Sequence, residues 1–316
     1  MKHKIKNVLI TGVAGFIGGH FTEYYITHGY NVVGVDNRPK EQISVTKPFE
    51  YKQLTLPNNQ LHSLIKKYKP DICIHCAGSS SVGFSVDNPY KDFKLSALVT
   101  FHLLESIRRF SPECKTIYPS SAAVYGNPAS LPISENYPLN PISPYGYHKF
   151  LCENICNEYF QLYRLNIYIL RIFSAFGPGL RKQIVWDIFN KLKKDNQLVL
   201  YGTGKETRDF IYINDIINAV DIILNSSVNS YGIYNIASGQ ETSIQELAEL
   251  IVKEFNIDIP IVFNGITKKG DPKNWRADIS KIRNLGFEPG YGLNDGIIKL
   301  KNWFEKVDGN ENYSCL

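Results

Sequence analysis

Short runs of β-branched and other apolar residues alternate with amphipathic stretches through the first half of the chain. The runs have the length of buried strands, and the stretches between them repeat apolar positions at the spacing of a helix. We expect strands at residues 7–11, 31–35, 51–54, 71–76, 116–118 and 167–170. We expect helices at residues 16–28, 61–68, 88–110 and 144–165. This alternation predicts an α/β fold built on a doubly wound parallel sheet.

After Phe173 the pattern changes, and glycine and proline separate shorter segments. A strand is expected at residues 234–237, and helices at residues 185–194, 243–255 and 293–304. Ser243 and Glu246 have the spacing of a capping box. We predict a first domain of residues 1–173 with returning segments at about 207–238, a smaller lobe of residues 174–206 and 239–306 over the carboxyl edge of the sheet, and a tail of residues 307–316.

Length and composition exclude several classes of protein. With 316 residues the chain is long enough for one large α/β unit and a smaller lobe. Its net charge of +5 comes from scattered side chains, without the basic stripe of a nucleic-acid groove. No apolar run approaches the roughly 20 residues of a membrane helix, and the N-terminal run is too short for a signal peptide. We therefore expect a cytoplasmic protein with no nucleic-acid or membrane partner.

Two pairs of cysteines have spacings that invite a metal interpretation. Cys73 and Cys76 belong to a predicted strand, whose alternate residues face opposite ways, so the two thiols cannot chelate one ion. Cys152 and Cys156 share a helix face, but no second pair of ligands is evident near them. We predict packing cysteines, no metal site and no disulfides.

A glycine-rich loop follows the first predicted strand and opens a helix. Its glycines are Gly12, Gly15 and Gly18, and Phe16 and Ile17 lie between the last two. Glycines let the backbone approach a pyrophosphate, and the helix N-terminus offers N–H groups and positive dipole charge. We predict that these five residues bind a dinucleotide in a Rossmann-type site. The alternative is a glycine turn with a purely structural purpose.

An acidic residue at the end of the second strand indicates which dinucleotide binds. Asp36 can accept hydrogen bonds from both adenosine-ribose hydroxyls and would repel a 2′-phosphate. We place Asp36 and the adjacent Asn37 in the cofactor site and predict NAD rather than NADP. Arg38 and Lys40 lie close by and weaken that preference.

A serine, a tyrosine and a lysine form the candidate catalytic group. Ser121 follows the strand predicted at residues 116–118, and Tyr145 and Lys149 are i, i+4 on one helix face. A free phenol has a pKa of about 10, and a nearby ammonium favours the phenolate. Such a tyrosine can take or return a hydroxyl proton while a hydride moves to or from nicotinamide, and the serine orients the same oxygen.

The chain resembles the extended short-chain dehydrogenase/reductase family, and within it the NAD-dependent nucleotide-sugar epimerase/dehydratase branch. The resemblance covers about residues 6–304. It is carried by residues 11–18, 75–78, 120–126, 145–149, 202–215, 234–239 and 276–281. It implies that Ser121, Tyr145 and Lys149 are catalytic, and that Ala77 and Gly78 also bind NAD together with Tyr145 and Lys149.

The resemblance also implies a nucleotide-sugar substrate. The residues it assigns to substrate binding are Ser80, Ser81, Ser121, Ser174, Arg208 and Arg276. Arg208 and Arg276 match arginines that hold the nucleotide diphosphate, a task suited to the bidentate guanidinium. The family further implies a homodimer that pairs the helices at residues 88–110 and 144–165 with their copies.

Two alanines after Ser121 narrow the reaction class. Sugar 4,6-dehydratases carry an acidic pair at this place, whereas this chain has Ala122 and Ala123, whose methyl groups cannot act as acid or base. Dehydration is therefore disfavoured. The segments around these residues and around residues 77–85 resemble 4-epimerases of the UDP-galactose and UDP-N-acetylglucosamine kind.

Three departures from the family pattern leave the sugar open. Ser96 and Ser174 stand where asparagines are usual, and Thr55 stands where an aspartate near adenine is usual. We predict redox chemistry at C4 of a nucleotide-linked sugar, with 4-epimerisation as the leading interpretation. A net 4-keto-sugar reductase or C4 dehydrogenase is the alternative. A non-catalytic NAD-sensing regulator and an RNA-binding relative of the fold are disfavoured, because Tyr145 and Lys149 are present and a basic stripe is absent.

Overall fold

The apolar runs form a central parallel sheet in the computed structural model, which describes residues 6–194, 196–227 and 230–311. The strands are β1 Asn7–Thr11, β2 Asn31–Asp36, β3 Glu50–Gln53, β4 Ile72–His75, β5 Lys115–Ser121, β6 Asn166–Ile172, β7 Ser174–Phe176, β8 Leu198–Leu200, β9 Thr207–Arg208, β10 Phe210–Tyr212, β11 Tyr231–Ile236, β12 Thr242–Ser243 and β13 Ile261–Phe263. Seven of them form one sheet in the order β11-β6-β5-β4-β1-β2-β3, with every neighbouring pair parallel. The order reverses beside β1, so the predicted doubly wound sheet is confirmed.

Helices cover both faces of this sheet and build the C-terminal part of the chain. They are α1 Phe16–Thr27, α2 Gln60–Tyr68, α3 Val82–Asp87, α4 Pro89–Phe93, α5 Val99–Phe110, α6 Pro144–Tyr163, α7 Gln183–Leu192, α8 Ile213–Asn225, α9 Ile244–Phe255, α10 Ser280–Arg283 and α11 Leu293–Glu311. The single helix predicted over residues 88–110 is wrong in one respect: a π-helical turn, Lys94–Leu98, joins α4 to α5. A π-turn adds one residue to a helical turn, which apolar periodicity does not report.

Alternate residues of the strands supply two separate cores. Val8 and Ile10 of β1 pack with α1 and α8 on one face, while Leu9 packs with α2, α5 and α6 on the other. The sheet is therefore buried on both faces, which is why its strands are continuous apolar runs. Cys73, Cys114, Cys152 and Cys156 are free and buried. Among the described residues, no group of three or more possible ligands is placed to hold a metal ion.

The C-terminal part contains short strands that the sequence pattern did not reveal. Strand β10 pairs with β7, β12 with β9, and β13 with β8, each as a separate two-stranded sheet. Helices α7, α9 and α11 meet through Phe189, Phe255 and Phe304, with ring centroids 4.9 to 6.4 Å apart. The predicted capping box between Ser243 and Glu246 is present at the start of α9.

The last helix of the C-terminal part extends beyond its predicted end. The tail predicted from residue 307 is wrong for its first residues, because α11 continues to Glu311. The rest of that tail, residues 312–316, lies outside the described residues.

In the part of the chain that the structure describes, no helix is both long enough and apolar enough to cross a membrane. The division of the chain into two units stays a prediction.

A buried ion pair ties α6 to the sheet. Arg171 of β6 donates to Glu153 of α6 at 2.8 and 3.1 Å, and both side chains are only 4% exposed. Ser120 of β5 donates to the same carboxylate at 2.5 Å. Arg171 also donates to the Tyr125 hydroxyl at 3.0 Å. The Glu153 carboxylate thus joins three elements, α6, β6 and β5.

We expect Glu153→Ala to lower the free energy of unfolding by roughly 3–5 kcal/mol, because it leaves the Arg171 cation buried without its partner. Urea unfolding followed by both fluorescence and circular dichroism measures this loss. Glu158→Ala, an exposed acid on the same helix, is the matched control and should change the value by about 0.5 kcal/mol or less. Equal urea midpoints of unfolding for the two variants would contradict the claim that the Arg171–Glu153 pair stabilises the fold.

Candidate active site

A cleft of about 450 Å³ opens where the parallel strands of the central sheet end. Ligands of doubly wound sheets bind at this carboxyl edge, beside the point where the strand order reverses. The predicted site residues that line the cleft are Gly12, Gly15, Phe16, Ile17, Gly18, Asp36, Asn37, Ala77, Gly78, Ser80, Ser121, Tyr145 and Lys149. One cleft therefore contains the glycine loop and the serine, tyrosine and lysine.

The glycine loop lies directly against the end of β4. Gly12 has φ +76°, and a Cβ there would lie 2.6 Å from the Cys76 carbonyl carbon. A Cβ at Gly18 would lie 2.1 Å from the Gly12 carbonyl oxygen. Gly15 caps α1 without a side-chain hydrogen bond, so the first N–H groups of α1 have no side-chain partner. Backbone donors at a helix N-terminus fit the pyrophosphate of a dinucleotide.

Asp36 is held against the same loop. One of its carboxylate oxygens accepts from the Ala14 N–H at 3.0 Å, and the other accepts from the Arg38 N–H at 3.1 Å. The Arg38 guanidinium donates to the Ala14 carbonyl at 3.2 Å. Because a carboxylate has about four lone-pair sites, Asp36 keeps capacity for ribose hydroxyls. The donors and acceptors of the loop and of Asp36 therefore fit NAD.

A chain of hydrogen bonds supports the loop after β4. The Ala77 N–H donates to the Thr11 hydroxyl at 3.2 Å, and Thr11 lies 2.8 Å from His75 Nδ1. His75 Nε2 lies 3.3 Å from the Thr100 hydroxyl, which donates to the Ser96 carbonyl at 2.8 Å. Burial, aided by the positive charge of Lys149, lowers the pKa of His75 to about 3. We assign from these bonds a neutral imidazole with its proton on Nε2.

Ser121 and Lys149 face the end of β5 from two directions. Ser121 is the last residue of β5, and its Oγ accepts from the Ala123 N–H at 3.2 Å. Lys149 Nζ donates to the Pro119 carbonyl at 2.8 Å. The same Nζ lies 5.8 Å from the centroid of the Tyr145 ring. The strand continues past residue 118, where the sequence pattern ended it, and so carries Ser120 and Ser121 itself.

The start of α6 fixes Tyr145. Ser143 caps the helix by accepting from the Gly146 N–H at 3.2 Å, and Pro144 occupies the first helical position. The Tyr145 N–H, which has no partner within the helix, donates to Ser85 Oγ at 3.0 Å. The tyrosine is therefore held at a rigid helix terminus, with Lys149 one turn further along the same face.

Four residues predicted to bind substrate lie outside the residues that line the cleft. Ser81 caps α3 by accepting from the Phe84 N–H at 3.2 Å, so its hydroxyl already has a structural partner. Ser174 begins β7 and donates its backbone N–H to the Asp209 carbonyl at 2.9 Å. The remaining two are the arginines, Arg208 and Arg276. Substrate binding by these four residues stays a prediction.

The two arginines lie on adjacent segments beyond the cleft. Arg208 has its guanidinium 5.7 Å from the Trp275 ring and donates to the carbonyls of Thr207 at 2.8 Å and Lys273 at 3.1 Å. Burial lowers the pKa of Arg208, although the acids Asp271 and Glu206 oppose that shift. Arg276 directly follows Trp275. The guanidinium of Arg208 is therefore half-buried beside a tryptophan ring.

Several cleft residues were not predicted as site residues. Thr55, noted only as a departure from the family pattern, lines the cleft, as do Arg38, Lys182 and Gln183. Ser96 is buried in the π-turn, and its Oγ has no hydrogen-bond partner among the described residues. No sequence signal identifies Lys182, because it reaches the cleft only through the path of the chain after β7.

The fold and the cleft define the class of protein: an NAD-dependent enzyme of the short-chain dehydrogenase/reductase type. Residues 8–237 match the NAD dependent epimerase/dehydratase family, and the chain belongs to that family. A Methanocaldococcus jannaschii protein provisionally named as a UDP-glucose 4-epimerase is 31% identical over 94% of this chain and 98% of its own length.

Solved structures of similar proteins agree with this family. The UDP-N-acetylglucosamine 4-epimerase of Methanobrevibacter ruminantium, solved with UDP-N-acetylmuramic acid, has a TM-score of 0.88 at 28% identity and covers 96% of this chain and 99% of its own. The UDP-glucuronic acid 4-epimerase of Bacillus cereus, solved with UDP-glucuronic acid and NAD, has a TM-score of 0.88 at 27% identity, with 95% and 99% covered. The predicted family and the predicted cofactor, NAD, are confirmed.

We expect Asp36→Ala to shift cofactor preference from NADH toward NADPH by about tenfold or more, because it removes a ribose acceptor and a charge that repels a 2′-phosphate, while Arg38 remains. Fluorescence titration of both cofactors gives the ratio of dissociation constants. Glu41→Ala, an exposed acid nearby, should leave the ratio unchanged. An unchanged ratio in Asp36→Ala would remove Asp36 from the site.

Proposed function

We propose that the protein is a 4-epimerase of a nucleotide-activated sugar, which oxidises and then reduces C4. The observation that carries the proposal is the convergence of Ser121, Tyr145 and Lys149 in the cleft that also holds the glycine loop. Among the described residues that line this cleft, Asp36 is the sole carboxylate, and it lies at the adenosine end. The cleft thus has a base for a hydroxyl proton and no acid pair for the loss of water.

The alanines after Ser121 support the same choice. Ala122 and Ala123 belong to the short turn after β5 and are 0% and 7% exposed. Neither side chain can exchange a proton. A dehydratase needs a second acid and base at the sugar, and the chain supplies none at this place.

The catalytic steps follow from the positions of the three side chains. Tyr145 is the base that takes the proton of the C4 hydroxyl, and Lys149 Nζ lies 5.8 Å from the centroid of its ring. The Ser121 hydroxyl donates a hydrogen bond to the sugar oxygen and orients it. Bound NAD supplies the acceptor and later the donor of the hydride. In the return half of the cycle Tyr145 gives the proton back to the oxygen of the 4-keto sugar.

Substrate binding is proposed to extend to the arginines beyond the cleft. Arg208 is half-buried against Trp275, and the segment after Trp275 carries Arg276. Two guanidinium groups on adjacent segments can hold a diphosphate by bidentate hydrogen bonds. The nucleotide would then lie toward the C-terminal part of the chain and the sugar toward Tyr145.

Purified protein incubated with UDP-, GDP-, CDP- and dTDP-sugars tests the reaction. We expect a change of configuration at C4, seen by nuclear magnetic resonance of the product, without net appearance or loss of NADH absorbance. Stoichiometric change in NADH would instead favour the dehydrogenase or reductase alternative. Tyr145→Phe should lower turnover by about 100-fold or more, since general-base catalysis contributes about 10²–10⁴-fold. Tyr147→Phe, two residues along the same helix and 56% exposed, should retain activity.

We further propose a homodimer built on α4, α5 and α6. Large apolar side chains stand exposed along α5, α6 and the π-turn before α5: Leu98 is 41%, Phe101 43%, Tyr147 56% and Leu151 38% exposed. The two helix rows adjoin, since Phe101 contacts Tyr159 of α6 with ring centroids 5.7 Å apart. Contiguous exposed apolar surface of this kind marks an interface, and a twofold dimer covers it with its own copy.

The double variant Leu98→Glu with Leu151→Glu should convert the dimer into a monomer, because it buries charges in the proposed interface. Light scattering at micromolar concentration measures the mass. Ile266→Glu, which alters an apolar side chain that is 59% exposed elsewhere, is the control and should remain dimeric. A monomer in the unaltered protein would refute the proposed dimer.

A further inference from the structure

The segment of residues 177–183, here called the strap, connects β7 to the start of α7 and carries three residues that line the cleft. Leu180, Lys182 and Gln183 line the cleft together with the glycine loop. Pro178 accepts, through its carbonyl, a hydrogen bond from His20 Nε2 of α1 at 2.8 Å. The strap therefore begins on the helix whose N-terminus faces the dinucleotide site.

The other end of the strap is anchored across the cleft. Lys182 Nζ donates to the Ser80 carbonyl at 3.0 Å and to the Ser80 hydroxyl at 2.6 Å. Ser80 belongs to the loop between β4 and α3, which lines the cleft together with the glycine loop. The next residue, Gln183, has φ +66°, which non-glycine residues avoid and which a surrounding structure must hold. The strap thus crosses the dinucleotide site and is fixed at both ends.

Lys182 lies near other cations and has no acidic partner among the residues that the structure describes. Burial lowers the pKa of its ammonium, and the positive charges of Lys149 and Arg38 lower it further. Among the described residues, its ammonium donates hydrogen bonds only to the two neutral oxygens of Ser80. Lys149 and Lys182 are half-buried and Arg38 is exposed, and the three positive charges line one cleft, where they repel each other unless an anion completes the group.

The position of Lys182 identifies which anion fits. Arg38 stands beside Asp36 at the adenosine end of the cleft, and Lys149 stands at the catalytic end. Lys182 lines the same cleft as Arg38 and Lys149, and the pyrophosphate of a bound dinucleotide lies between the adenosine end and the catalytic end. The glycine loop supplies backbone donors to one side of that pyrophosphate, and Lys182 can supply a charged donor from the other side.

We propose that Lys182 binds the pyrophosphate of NAD and that the strap holds the cofactor in place through the catalytic cycle. The retention of NAD through the cycle rests on the proposed epimerase function. Of the reactions considered, only epimerisation proceeds without exchange of NAD. A net dehydrogenase or reductase must release its dinucleotide after each turnover. Lys182 is a cofactor-binding residue in this proposal and takes no part in proton transfer.

The test measures cofactor release in the absence of any sugar nucleotide. Protein loaded with NADH is mixed with excess NAD, and the loss of NADH fluorescence gives the dissociation rate. Lys182→Met, similar in length but uncharged, should release NADH about tenfold faster or more, the loss expected for one charge-assisted hydrogen bond. The difference should shrink as salt rises. Lys182→Arg should restore slow release.

Matched controls locate the effect. Lys194→Met removes an equal charge from an exposed site after α7 and should release NADH at the original rate. Lys182→Met should lose affinity for ADP-ribose, which contains the pyrophosphate, and keep its affinity for adenosine, which does not. Equal dissociation rates for Lys182→Met and the unaltered protein, or equal losses for adenosine and ADP-ribose, would overturn the proposal. Because no candidate substrate of the epimerase is added, these outcomes are independent of whether the epimerase assay succeeds.

Discussion

The buried pair of Arg171 and Glu153 is the interaction on which the geometry of the site depends. Glu153 belongs to α6, Arg171 to β6, and the Ser120 hydroxyl of β5 completes the carboxylate. A buried charge without its partner costs several kcal/mol, so α6 has one favourable rotation against the sheet. One turn earlier on α6, Lys149 reaches the Pro119 carbonyl, the residue before Ser120. The contact between α6 and β5 therefore holds the Arg171–Glu153 pair in place. It also fixes the distance from Tyr145 to Ser121.

The central sheet could be predicted from the sequence because burial on both faces makes each strand a continuous apolar run. The runs gave the order of elements, and right-handed parallel connections then gave the sheet. The π-turn at residues 94–98 and the strands of two or three residues could not be found in this way. Their hydrogen bonds go to partners distant in sequence, such as Thr207 with Ser243, and leave no local period.

The candidate site divides along the same line. Gly12, Gly18, Tyr145 and Lys149 were identifiable because their chemistry lies in short motifs next to strands and helix starts. Lys182 was not, because it enters the cleft from β7, and its partner Ser80 lies 102 positions away in sequence. The hydrogen-bond chain through His75 could not be predicted for a related reason. Its partners Thr11 and Thr100 are distant from it in sequence and lie beside it only in the folded chain.

The cleft that the strap borders makes the binding of NAD contribute to the free energy of folding. The cleft is lined by residues of the glycine loop, β2, β4, β5, α6 and the segment after β7, so a chain that lacks any one of these has no complete site. NAD then binds the native state alone, and mass action adds its binding free energy to stability. At a concentration about 100 times the dissociation constant, this linkage amounts to about 2.7 kcal/mol. A chain that keeps its dinucleotide is therefore a more stable protein than the same chain without it, and its resistance to heat and proteolysis follows the cellular supply of NAD.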